Sequence, residues 1–196
     1  EVVLHIAQNW NRKEEPGQML TVSVYTNCEE VDLFLNGRNL GRKKTEKYRH
    51  LEWENIEYQR GVLVAKGYIE GNIVKETTIE TTDQPSEIRL ITDKTTLNAD
   101  GQDVIVVNVE IVDKYGKVNP NADNMIIFSV EGQARIIGVG NGDPSSHEPS
   151  KAICRRAFHG YCQIIIQSTC TPGDIFVKAS SFCLKCACLR LESKLK

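Results

Sequence analysis

The chain has 196 residues, 40% of them hydrophobic and 26% charged, with a formal net charge of −2 at pH 7. That length is long for one sandwich and suits two domains of about 100 residues, each able to bury a core without disulfides or metal. There are 11 basic and 14 acidic residues up to position 83, and 13 and 12 after it. This balance gives no global pull toward nucleic acid or anionic membrane, and no apolar run approaches the roughly 18 residues of a membrane span.

Strand periodicity starts at once. Val2, Val3, Leu4 and Ile6 read as strand, and Glu1 with no secretory leader implies a piece of a longer polypeptide. Val22 and Val24 alternate with Thr21, Ser23 and Tyr25. Val31, Leu33 and Leu35 then alternate with Asp32, Phe34 and Asn36. Asn36-Gly37 follows, the pair that favours a tight type I′ hairpin turn. The polar, basic stretch RNLGRKKTEKYR suits an exposed edge strand or loop. Leu51, Trp53 and Ile56, then VLVAKGYI, a turn at Glu70-Gly71-Asn72, and IVKETTIET bring the count to six or seven strands before residue 83.

Asp83-Gln84-Pro85-Ser86 is the best linker candidate. After it come EIRLIT, VIVVNVEIVD, a turn at Asp113-Lys114-Tyr115-Gly116, NMIIFSVEG, ARIIGVG, CQIIIQS, DIFVKAS and ACLRLES, about seven more strands. Helical periodicity is almost absent, and turn residues recur at the spacing of sandwich folds. The expectation is an all-β chain of two consecutive immunoglobulin-like β-sandwich domains, residues 1–83 and 84–196.

Trp10-Asn11, VYTNCEEVDLFLNGRNLG, Leu51-Glu52-Trp53, and Tyr58 with GVLVAKGY together resemble the small sandwich that follows the catalytic barrel in bacterial β-galactosidases of glycoside hydrolase family 2. DKTTLNADGQDVIVVNVEIVDKYGKVNPNADN, FSVEG, IIGVGNGDPSSHEPSK, RRAFHG and ASSFCLKCACLRL resemble the next, C-terminal sandwich of those enzymes. The chain departs from the family in reading Gln8-Asn9-Trp10-Asn11-Arg12 where a fuller His-Trp-Asn-Trp signature is usual. It also carries Cys183, Cys186 and Cys188 where Gly and Ser are usual. The resemblance implies a parent that cleaves terminal β-galactosyl or related bonds, in the periplasm or outside the cell. Its two catalytic carboxyl groups would lie on an upstream (β/α)₈ barrel, the partner of this region. No alternation of strands with helical stretches encodes such a barrel here, so no catalytic residue, cofactor or metal is assigned.

Four aromatics, Trp10, Trp53, Tyr25 and Tyr58, are either a sugar-stacking platform or core. The candidate carbohydrate contacts are Trp10, Trp53, Tyr58 and His147, the last on the polar loop NGDPSSHEP, which also reads as a plain turn-rich connection. Asp100, Asp103 and Asp113 suit Asx turns better than a calcium loop. Arg42, Lys43, Lys44, Lys47 and Arg49 suit a solvated edge better than a nucleic-acid face. Seven cysteines cannot all pair, and most read as small strand hydrophobes. Positions 183 and 186, placed on a strand, point to opposite faces, which argues against zinc or redox chemistry. Two functions remain: a non-catalytic accessory region of a glycosidase, or a tandem immunoglobulin-like module binding glycan or protein at a bacterial surface, since the second half also resembles adhesin domains.

Overall fold

The computed structural model describes residues 1–12 and 17–195. Among them it is all-β, with sixteen strands and no helix. The chain divides into two compact units, Glu1–Thr81 and Thr82–Lys196.

The first unit holds β1 (Leu4–Ile6), β2 (Met19–Thr26), β3 (Glu30–Leu35), β4 (Arg38–Lys44), β5 (Leu51–Glu57), β6 (Val62–Ile69) and β7 (Asn72–Glu80). They form two antiparallel sheets, β1-β2-β5 and β4-β3-β6-β7. Alternation decides which face is buried: Val22 and Val24 from one sheet, and Val31, Leu33, Leu63 and Ala65 from the other, are fully enclosed between the two layers. The β3–β4 hairpin turns as its sequence predicts. Asn36 and Gly37 have φ of 51° and 82°, both positive as a type I′ turn requires, and Leu35 pairs with Arg38. The basic strand β4 is a sheet edge.

The second unit holds β8 (Glu87–Ile91), β9 (Thr96–Asn98), β10 (Val104–Val112), β11 (Met125–Gly132), β12 (Ala134–Gly140), β13 (Cys154–Arg156), β14 (Tyr161–Ser168), β15 (Gly173–Ser180) and β16 (Ala187–Lys194). Its sheets are β12-β14-β10-β8 and β13-β11-β15-β16-β9. β9 and β13, three residues each, fall outside the strands read from periodicity, because each buries a single residue and so shows no alternation to count. Ile105, Val107, Val109 and Ile111 of β10 and Ile164 and Ile166 of β14 face Ile126, Ile175, Val177 and Ala179 of the other sheet.

The segment read as a linker, 83–86, is stitched to the second unit. Asp83 N donates to Asp113 Oδ2 (2.9 Å), Ser86 N donates to Val112 O (2.9 Å), and Lys185 N donates to Ser86 O (2.9 Å). A polar, proline-bearing run marks a domain edge, but only nonlocal hydrogen bonds decide which domain owns it.

Candidate carbohydrate-contact sites

Three of the four aromatics are core. Trp10, Trp53 and Tyr58 are exposed by only 1%, 2% and 2%. Sugar stacking needs an open ring face, so the candidacy of Trp10, Trp53 and Tyr58 as carbohydrate contacts falls on burial. Each uses its polar tip internally: Trp10 Nε1 donates to Gln59 O (3.0 Å), Trp53 Nε1 to Gly41 O (3.1 Å), and the Tyr58 hydroxyl to Trp10 O (3.2 Å). The Trp10 and Tyr58 rings meet edge to face at 5.3 Å, an arrangement their quadrupoles favour. Tyr25 alone of the four is half open, and it stacks on His50 at 5.2 Å.

His147 is exposed on the loop between β12 and β13. The loop is not slack. Arg155 is buried beneath it, with Nη1 donating to Glu148 O (2.9 Å) and Nη2 to Asn141 Oδ1 (2.9 Å). Asn141 Nδ2 donates to Arg156 O (3.0 Å). Asp143 accepts from the Ser145 hydroxyl (2.7 Å) and amide (2.8 Å), bonds that hold its carboxyl below the usual range. The loop's polar groups are thus largely spent on its own shape.

The acidic candidates behave likewise. Asp100 accepts from the Gln102 and Asp103 amides, which hold its carboxyl below the usual range. Asp103 is lowered by Lys94 (2.9 Å) and the Asn98 amide. Burial works to raise Asp113, yet the amides of Asp83, Lys117 and Tyr115 outweigh it and hold the carboxyl low. Asp32 is held low by its Arg42 partner at 2.7 Å. Every carboxyl among the described residues whose pKa clearly departs from the ordinary value is therefore lowered. A glycosidase acid needs the opposite shift.

The basic strand is similarly engaged. Arg42 lies over the Tyr68 ring at 4.0 Å, Lys43 Nζ donates to Glu52 O (2.6 Å), and Lys44 reaches Glu30 at 3.9 Å.

The cysteines are all free thiols; Cys28 and Cys162 are buried, Cys170, Cys183, Cys186 and Cys188 exposed. Burial pushes the Cys162 thiol up to about 12, which removes it as a nucleophile. The strand placement of Cys183 needs correction: it sits in a turn with φ of 60°, and β16 begins only at Ala187. The parity argument therefore does not apply to the 183/186 pair. Among the described residues no cluster of three or more metal-ligating side chains occurs.

A groove of about 410 Å³ lies on the outer face of the β12-β14-β10-β8 sheet, lined by Ile91, Asn108, Glu110, Asn141, Gly142, Tyr161, Cys162 and Gln163. Register puts Asn108 opposite both Gln163 and Ile91, and Glu110 opposite both Tyr161 and Arg89. Sequence reasoning missed it. The one available signal was the outward parity of Asn108 and Glu110, which does not reveal that Tyr161 and Gln163 are their neighbours.

Comparison with known proteins bears on the whole chain. Residues 88–189 match the family model described as glycoside hydrolase family 2 C-terminal domain 5, and residues 17–75 match a domain of unknown function. A beta-galactosidase of Bacteroides ovatus is 37% identical over 98% of this chain and 22% of its own length. A beta-glucuronidase of Formosa agariphila is 32% identical over 74% of this chain and 15% of its own. A solved glycosyl hydrolase family 2 member from Bacteroides cellulosilyticus superposes with a TM-score of 0.90 at 38% identity, over 95% of this chain and 24% of that one. The chain thus spans less than a quarter of the length of the curated relatives it matches.

Proposed function

The chain belongs to glycoside hydrolase family 2, and from that membership we propose that it is a non-catalytic accessory region of a larger β-galactosidase-like glycosidase. One observation carries the reading: the chain aligns almost end to end with a beta-galactosidase while accounting for 22% of that enzyme. The remaining length would hold the catalytic barrel and its carboxyl pair. The two sandwiches would then act mechanically, packing on the barrel and fixing its surroundings. The downward shift of the perturbed carboxyls supports this role, because none is tuned to protonate a leaving group.

A longer polypeptide carrying the upstream sequence, expressed with and without residues 1–196, tests this. The intact protein should hydrolyse a chromogenic β-galactoside, and removal of the two units should lower its unfolding temperature and activity together. Full retention of both after truncation would refute an accessory role.

The second reading, a binding module, is favoured by one feature, the groove on the outer sheet face of the second unit.

A further inference from the structure

We infer that the groove over β10 and β14 is a subsite for a neutral glycan, with Tyr161 as the stacking ring and Asn108 and Gln163 as the hydroxyl-reading amides. The choice of carbohydrate as ligand class rests on the glycosidase reading above; the site itself rests on geometry.

The floor is two rungs of one sheet. Gly140, Gln163, Asn108 and Ile91 lie side by side on the first rung, and Tyr161, Glu110 and Arg89 on the second. Neighbours across strands sit about 5 Å apart and same-face residues along a strand about 7 Å apart. Ring and amides are therefore spaced to meet one sugar ring and its hydroxyls together. Tyr161 is 46% exposed, open enough for its ring to take an apolar sugar face. Asn108 is exposed and Gln163 half-buried, and neither amide is engaged by another described residue. Each offers both donors and acceptors, the complement of a hydroxyl that does both.

Charge selects against acidic sugars. The residues that line the groove include no Lys, Arg or His, and Arg89, beside Glu110 on the second rung, is bound to that carboxylate. The one carboxylate, Glu110, is already taken by Arg89 Nε at 2.7 Å, while Arg89 Nη1 donates to Gly116 O. The groove is thus polar without an uncompensated charge, which suits a neutral polyol and offers a uronate no counter-charge to offset its desolvation.

The groove is also shaped beforehand. Its far wall, Asn141-Gly142, is tied down by Arg155 and the Arg156 carbonyl, so little ordering is needed on binding. Gly140 has an ordinary φ, so its backbone does not require glycine. A Cβ there would come 3.4 Å from Gln163 Nε2, and the missing side chain leaves that amide clear.

Two-dimensional amide spectra of ¹⁵N-labelled residues 1–196, titrated with lactose and a β-1,4-galactan oligosaccharide, test the site. Saturable shifts should concentrate on β10, β14 and Asn141-Gly142. Tyr161→Ala should raise Kd about tenfold and Gln163→Ala about fivefold. Gly140→Val should also weaken binding. His147→Ala, outside the groove lining, should leave Kd unchanged. Tyr161 and Gln163 point outward, and unchanged spectra elsewhere would certify the fold of both variants. Digalacturonate should bind more weakly than the neutral galactan. Absence of saturable shifts, shifts mapping to another surface, loss of binding in His147→Ala but not in the groove variants, or equal binding of digalacturonate would each overturn the subsite. None of these results touches the accessory role, which is read from truncation of the longer polypeptide.

Discussion

The two units enclose their cores with the same architecture and different side chains. The first buries Trp10, Trp53 and Tyr58 beside its aliphatics, whereas Phe128 is the one aromatic in the buried cluster of the second. The difference extends to how each holds its irregular segments. In the first unit the polar tips of the aromatics reach the backbone carbonyls of Gln59, Gly41 and Trp10. In the second, buried polar side chains do that work: Asp113 gathers three backbone amides, Asn119 Nδ2 donates to Asp83 O (2.7 Å), and Arg155 spans the long loop. A buried ring supplies apolar area and one hydrogen bond; a buried carboxylate supplies no apolar area and several bonds. The first kind of staple should be felt mainly as packing, the second mainly as pH.

The largest test of that contrast is Trp10→Ala. Removing a fully enclosed indole and its carbonyl contact should cost the first unit about 3–5 kcal/mol. Trp53 then remains as the one tryptophan, so denaturant unfolding followed by its fluorescence reports the first unit alone. Far-UV circular dichroism should show the second unit's transition unmoved; a shift of both would break the separation of the units.

Asp113→Ala is the converse. It strips the acceptor from three amides and should cost the second unit about 3 kcal/mol while the fluorescence transition stays put.

Acid should sharpen the comparison further. Asp100, Asp103, Asp113 and Asp143 in the second unit, and Asp32 in the first, are held below the ordinary carboxylate range. Each then binds protons less readily folded than unfolded. Its contribution is complete above the unfolded carboxylate value of about 4 and disappears as pH falls through the lower folded value. Stability measured from pH 7 down to acid should therefore fall more steeply for the second unit than for the first. Parallel decline in the two would contradict it.

The smallest effect is expected at the surface. Cys186→Ser should leave both transitions within about 0.5 kcal/mol, since the thiol is exposed and free.

Much of the architecture was legible because period-two alternation is local. Val31, Leu33 and Leu35 announce a half-buried strand, and Asn36-Gly37 announces its turn. The aromatics were not decided in the same way. Trp53 shares parity with buried Leu51, but parity says only that two residues share a face, not that another layer covers it. Trp10 lies in no strand and carries no period, so its burial against Tyr58 follows from tertiary closure alone. Cys183 was misplaced because its left-handed turn is made by neither Gly nor Asn. The groove was the least legible feature. It needs the register of four strands, and register depends on which residues meet across the sheet.

The proposed role requires a scaffold without a reactive centre, in a chain that belongs to a glycosidase family. Purified residues 1–196 incubated with a chromogenic β-galactoside test it most directly. Release of chromophore should be no faster than in buffer. Hydrolysis that follows the protein through every purification step, and disappears when it is unfolded, would contradict it.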